Sequence, residues 1–87
     1  MDHLLQLIDQ LLVDIQDRAS VRESREWYLK NNLHDYKATL ERGPTAQQID
    51  NATRALVRFC TESMDWDTPL YKACMVITSV GSKLAKR

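Results

Sequence analysis

Two cysteines, two histidines and twelve carboxylates are the first candidates for chemistry in this chain of 87 residues. Cys60 and Cys74 form no Cys-x-x-Cys pair, and they lack the dense Cys and His spacing of a zinc site. A histidine base needs an orienting partner and a nearby nucleophile. His3 falls in an N-terminal turn and His34 beside Asp35, and no motif ties either histidine to a cysteine. An oxyanion site usually draws on Gly-rich backbone, and the chain has only two glycines. Asp9, Asp14 and Asp17 fall at polar helical spacings, which reads as a solvated face. A di-iron bundle would need Glu-x-x-His on two helices, and the chain has none. The chain is therefore read as non-catalytic, with no cofactor and no metal.

Binding residues are easier to name. Trp66 stands between Asp65 and Asp67 in a short break between two helical stretches. Tryptophan offers a large contact area at a small entropy loss, which suits a recognition residue. It could equally fold back as a staple on the next helix. Lys83, Lys86 and Arg87 gather at the C-terminal end of an apolar helix, where positive charge is favoured. That basic end could remain solvated, or touch anionic lipid or an acidic partner. Trp27 lies on a stripe with Asn31, His34 and Ala38, apart from the buried seam of its helix. These five, Trp66, Lys83, Lys86, Arg87 and Trp27, are the expected partner-binding residues.

Composition narrows the class. Twelve basic and twelve acidic residues cancel, which argues against a nucleic-acid binder, where a basic surplus is expected. The apolar share of 44% is enough for a packed core and too high for a disordered chain. The start of the chain lacks the basic residues and continuous apolar run of a signal peptide. The most apolar stretch, 73–80, contains Thr78 and Ser79 and lies between Lys72 and Lys83. It falls short of the roughly 20 apolar residues of a membrane span. A cytoplasmic protein is expected, with peripheral membrane contact left open.

The elements that must position these residues are helical. Leu4, Leu5, Ile8, Leu11, Leu12 and Ile15 trace one face of a first helix, with Asp2 as its cap. Ser20 and Glu23 have capping-box spacing and place the next start near residue 21. Leu29, Leu33, Tyr36 and Leu40 form the seam of that second helix. Gly43-Pro44-Thr45 is a stop and a start back to back: Gly43 closes one helix, Pro44 forbids its continuation, and Thr45 with Gln48 caps the next. Ile49, Ala52, Thr53, Leu56, Phe59, Cys60 and Ser63 share a face of the third helix. Thr68-Pro69 opens the fourth, with Leu70, Cys74, Ile77, Gly81 and Leu84 in line.

The spacing predicts helices over about 3–17, 21–42, 46–64 and 69–86. Short connections make neighbours antiparallel, so a single all-α domain is expected, an antiparallel up-down four-helix bundle. Cys60 and Cys74 then face each other across the last hairpin. Helix axes usually lie about 8–10 Å apart, whereas a disulfide needs α-carbons within about 7 Å. Two buried thiols are expected, and a bridge only where small neighbours let the helices approach.

A Leu-rich first helix, a second ending in Leu40-Glu41-Arg42-Gly43, a third amphipathic helix, a short turn and an apolar fourth make a recognisable layout. It resembles the immunity proteins of pediocin-like (class IIa) bacteriocins, cytosolic antiparallel four-helix bundles. The resemblance implies binding without turnover: protection of a producing cell from a pore-forming bacteriocin, at the cytosolic side of a membrane permease–bacteriocin complex. Trp66, Lys83, Lys86 and Arg87 would then lie in the half that the family uses for specificity. The alternative is a small helical regulator or adaptor acting through dimerisation or docking, with the Trp27 stripe as its interface. Monomer or weak dimer is the corresponding expectation for assembly.

Overall fold

The computed structural model describes residues 1–86 and contains four α-helices: α1 (Asp2–Ile15), α2 (Arg25–Glu41), α3 (Ala46–Ser63) and α4 (Pro69–Ala85). A short 3₁₀ turn, Arg18–Ser20, lies between the first two. Each helix packs on its neighbours in chain order, and α1 closes the ring against α4. The all-α four-helix bundle is thus present.

Cross-helix contacts give the register of each hairpin. The Lys37 ammonium donates to Asp9 Oδ1 at 2.7 Å, and both residues stand equally far from Glu23 in the first connection. Tyr36 and Thr53 meet at 2.8 Å, equally far from the Pro44–Thr45 bond. Thr53 in turn packs against Gly81, and these two are equidistant from Asp67. Contacts symmetric about each turn are what antiparallel pairs produce.

The core follows the apolar seams. Leu4, Ile8, Leu11 and Ile15 from α1 meet Leu29, Leu33, Tyr36 and Leu40 from α2. Ile49, Leu56, Cys60 and Met64 come from the α3 side, and Cys74 and Ile77 from α4. Tyr36 carries a polar group into this core. Thr53 Oγ1 donates to the Ile49 carbonyl at 2.7 Å, so its single proton is committed and the Tyr36 hydroxyl must be the donor between the two. No buried side-chain nitrogen or oxygen among the described residues lacks a partner, as expected when an unmet group costs roughly 1–3 kcal/mol.

Gly81 is what admits this arrangement. A β-carbon there would lie 2.7 Å from Thr53 Oγ1 and collide with the Tyr36 hydroxyl. The absent side chain is filled by the Tyr36–Thr53 pair, and α3 and α4 close on each other at that level.

The boundaries match the expected punctuation except at the starts of α1 and α2. Thr45 and Gln48 form the full capping box, and Thr68 accepts the Tyr71 N–H with Pro69 in the first turn. Gly43 has φ +69° and nothing around it to meet a side chain, so its role is conformational. At α1 the cap position is Met1, without a side-chain bond, and Asp2 sits inside the first turn.

Ser20 does not cap α2. Its hydroxyl donates to the Asp17 carbonyl at 2.7 Å, and Ser24 caps instead, accepting the Trp27 N–H at 3.1 Å. The reason lies in the seam. One more turn upstream would put Arg22 on the seam position seven before Leu29, with only Val21 on its flank to bury. The chain turns there, with Glu23 at φ +65°, and buries Ala19 under that end of the bundle. Ser63, placed on the shared face of the third helix, is exposed, as are Val21 and Tyr28.

Candidate partner-binding site

The connection between α3 and α4 holds Trp66, 64% exposed yet held in place. Its indole N–H donates to the Thr61 carbonyl at 3.1 Å. Its ring stacks on Tyr71, with centroids 6.3 Å apart and planes 22° from parallel. The geometry is that of a staple with an open face. Trp66 folds onto the first turn of α4 as a staple does, and most of its surface still meets solvent. A ring fixed before contact loses little entropy on binding, a property of interface anchors.

Trp27 occupies the same end of the bundle, in the first turn of α2. It is half-buried, edge-on to Tyr28 with centroids 4.9 Å apart. The two ends meet through Arg25, whose guanidinium lies 4.0 Å from the Asp65 carboxylate, a loose solvent-exposed pair. Of the rest of the Trp27 stripe, Asn31 and His34 are exposed and Ala38 is half-buried.

A cleft of about 410 Å³ opens at this same end, one the sequence reading did not find. Leu11 and Ile15 of α1, and Pro69, Leu70 and Ala73 of α4, give it apolar walls; Asp14, Arg18, Arg25 and Glu26 give it charge of both signs. A second groove of about 200 Å³ shares Leu11, Asp14 and Ala73 and runs on between α1 and α4, past Leu7, Val76 and Ile77. Val76 is 53% exposed beside it. The signal in the sequence was the width of the apolar face of α4, where Ala73, Val76 and Val80 broaden the core line. Periodicity alone does not say which flank of such a face a neighbouring helix leaves open.

The basic residues do not join this site. Lys83 and Lys86 are exposed at the far end of α4. A helix of 17 residues spans roughly 25 Å at 1.5 Å per residue, which separates them from Trp66. The expected grouping of Trp66 with the basic end is thus two separate surfaces. Arg87 lies outside the described residues.

The groups with reactive potential are mostly at the surface. His3 and His34 are exposed, and among the described residues no three His, Cys, Asp or Glu side chains are grouped to hold a metal. Cys60 and Cys74 are both free and fully buried. The neighbouring Cys60 and burial together hold the proton on Cys74 more tightly than on an ordinary thiol. Burial also raises the Tyr36 phenol above its ordinary value, with the Thr53 hydrogen bond opposing in part.

No family model, curated protein or solved structure matches this chain.

Proposed function

We propose that the protein is a non-catalytic binding protein whose Trp66-bearing end contacts a protein partner. The observation that carries this reading is Trp66 itself: tethered through its N–H, stacked on Tyr71, and still 64% exposed. The neighbouring cleft supplies apolar wall with charged groups around it, the mix found at protein interfaces. In the specific form given by the family resemblance, the protein is a bacteriocin immunity protein. Its partner is then a permease–bacteriocin complex reached from the cytoplasm, with Lys83 and Lys86 facing anionic lipid in peripheral contact. The four-helix form and the exposed turn support that version.

Two experiments test the levels separately. Immobilised protein should retain a partner from lysate of its own cells that Trp66→Ala releases, with the variant still folded by circular dichroism. Equal retention by both would remove Trp66 from the interface. Expression in a bacteriocin-sensitive strain should reduce killing by at least one pediocin-like peptide; unchanged killing across a panel sinks the immunity version and leaves the binding reading standing.

The α1–α4 groove favours a second reading, an adaptor that dimerises. Val76 is 53% exposed and lines the groove with Leu7, Leu11, Ala73 and Ile77, an apolar strip that a second copy could cover. Sedimentation decides it: a stable dimer that Val76→Lys dissociates supports the adaptor, and a monomer at micromolar concentration rejects it.

A further inference from the structure

We propose that Cys60 and Cys74 form a reversible dithiol–disulfide site that locks α3 to α4. The register of the hairpin puts them together. Each lies seven residues from Asp67, on opposite arms, just as Thr53 and Gly81 lie fourteen residues from it. The Thr53–Gly81 contact establishes that register, and Cys60 and Cys74 occur two helical turns nearer the connection on the same seam. Both side chains are fully buried and both are free thiols, so the register sets two unbridged cysteines on the same seam.

Close approach is the usual obstacle to a bridge between helices, since α-carbons must come within about 7 Å. Here the seam is made of small residues. Gly81 has no side chain, and Thr53, Cys60, Cys74 and Thr78 are all compact and buried. Among the described residues no cluster of three metal-binding side chains occurs, so the pair stands as two thiols and not as part of a larger metal-binding group.

The oxidant fitted to this site is a small hydroperoxide, which can enter when the hairpin opens briefly. The two thiols can act in either order; Cys60 is taken first. Its thiolate attacks one oxygen of hydrogen peroxide, the O–O bond breaks, and the departing hydroxide takes up the proton that Cys60 released and leaves as water, with Cys60 now a sulfenic acid. Cys74 then attacks the Cys60 sulfur. An S–S bond forms, the S–O bond breaks, and a second water departs with the Cys74 proton. The two sulfurs give up two electrons in all, and the peroxide takes them. Two small thiols in turn reverse the bridge by exchange, the first forming a mixed disulfide and the second leaving with it as a small disulfide.

Bridging closes a loop that contains the whole α3–α4 connection, Trp66 included, so the oxidised protein presents that turn on a more tightly constrained hairpin.

Trypsin makes the test direct, because cleavage at Arg58, Lys72 and Lys83 places the cysteines on separate peptides, 59–72 and 73–83. Native protein is treated with hydrogen peroxide, and free thiols are then blocked. The expected product is a monomer about 2 Da lighter, with the two peptides covalently joined. Its Tm should rise by about 10 °C, and dithiothreitol should reverse both changes. Cys60→Ser and Cys74→Ser should each give no joined peptide. Peroxide-treated wild type that yields only disulfide-linked dimers or only sulfinic acid would overturn the proposal. So would thiols that stay reduced in the native protein under conditions that oxidise the urea-unfolded chain.

Discussion

Gly81, Thr53 and Tyr36 show how single atoms decide the packing of the bundle's middle. The hydroxyl of Tyr36 needs an acceptor once buried, Thr53 supplies one, and Gly81 leaves the space. Adding one methyl at Gly81 forces buried groups apart, so Gly81→Ala should destabilise by about 1–3 kcal/mol, read from the urea midpoint. Tyr36→Phe removes only the hydroxyl, leaves Thr53 bonded to the Ile49 carbonyl, and should cost about 1 kcal/mol at neutral pH. Its pH dependence is more diagnostic. Burial raises the folded-state value of Tyr36 above the ordinary 10.0, so the folded protein keeps a proton that the unfolded chain releases. Stability from that group is complete below pH 10.0 and declines as pH rises towards the folded value. Lys37, held up by its hydrogen bond to Asp9, acts in the same direction and is present in both proteins. Wild type should therefore lose more stability than Tyr36→Phe between neutral pH and pH values above 10.0. Equal losses would mean that Tyr36 is not kept neutral by its surroundings.

At the scale of elements, two left-handed residues give opposite expectations. Gly43 adopts φ +69° at the end of α2 at no steric cost, so Gly43→Ala should lower the urea midpoint by about 1 kcal/mol equivalent. Glu23 adopts φ +65° before α2 and carries a β-carbon there, so Glu23→Gly should raise stability by up to about 1 kcal/mol. The Thr45 cap should be worth about 1 kcal/mol, measured as Thr45→Ala. Three of the four helix starts lie at or within a residue of where the sequence puts them. α2 differs because a capping-box pattern is a local preference, and burial outweighs it. With Arg22 on the continuation of the seam, four more residues of helix would have had only Val21 to bury, on its flank.

For the whole molecule, the contrast lies between the two ends. The end with Trp27, Trp66 and the cleft combines aromatic surface, apolar wall and charge; the other carries Lys83 and Lys86. Trp66→Ala should change stability by no more than about 1 kcal/mol, because its hydrogen bond and stack are exposed, while abolishing partner capture. A large loss of stability with capture intact would make Trp66 a structural staple only. No helix of the described residues is long and apolar enough to cross a membrane, so lipid contact in the proposed function is with the surface.

Helix number, helix type and most of the buried seam were determined by the sequence alone, because apolar spacing, caps and a single Gly-Pro junction are local signals. Trp66 was legible for a related reason: a large apolar residue in a turn has little cover whatever the bundle does. Tertiary structure decided what depends on distance between elements. It separated Trp66 from Lys83 and Lys86 along the length of α4 and opened the cleft between α1 and α4. It also joined Gly81 to Tyr36 and Thr53. A side chain's period along one helix says which way it points, and only the neighbouring helix decides whether it meets a partner or solvent.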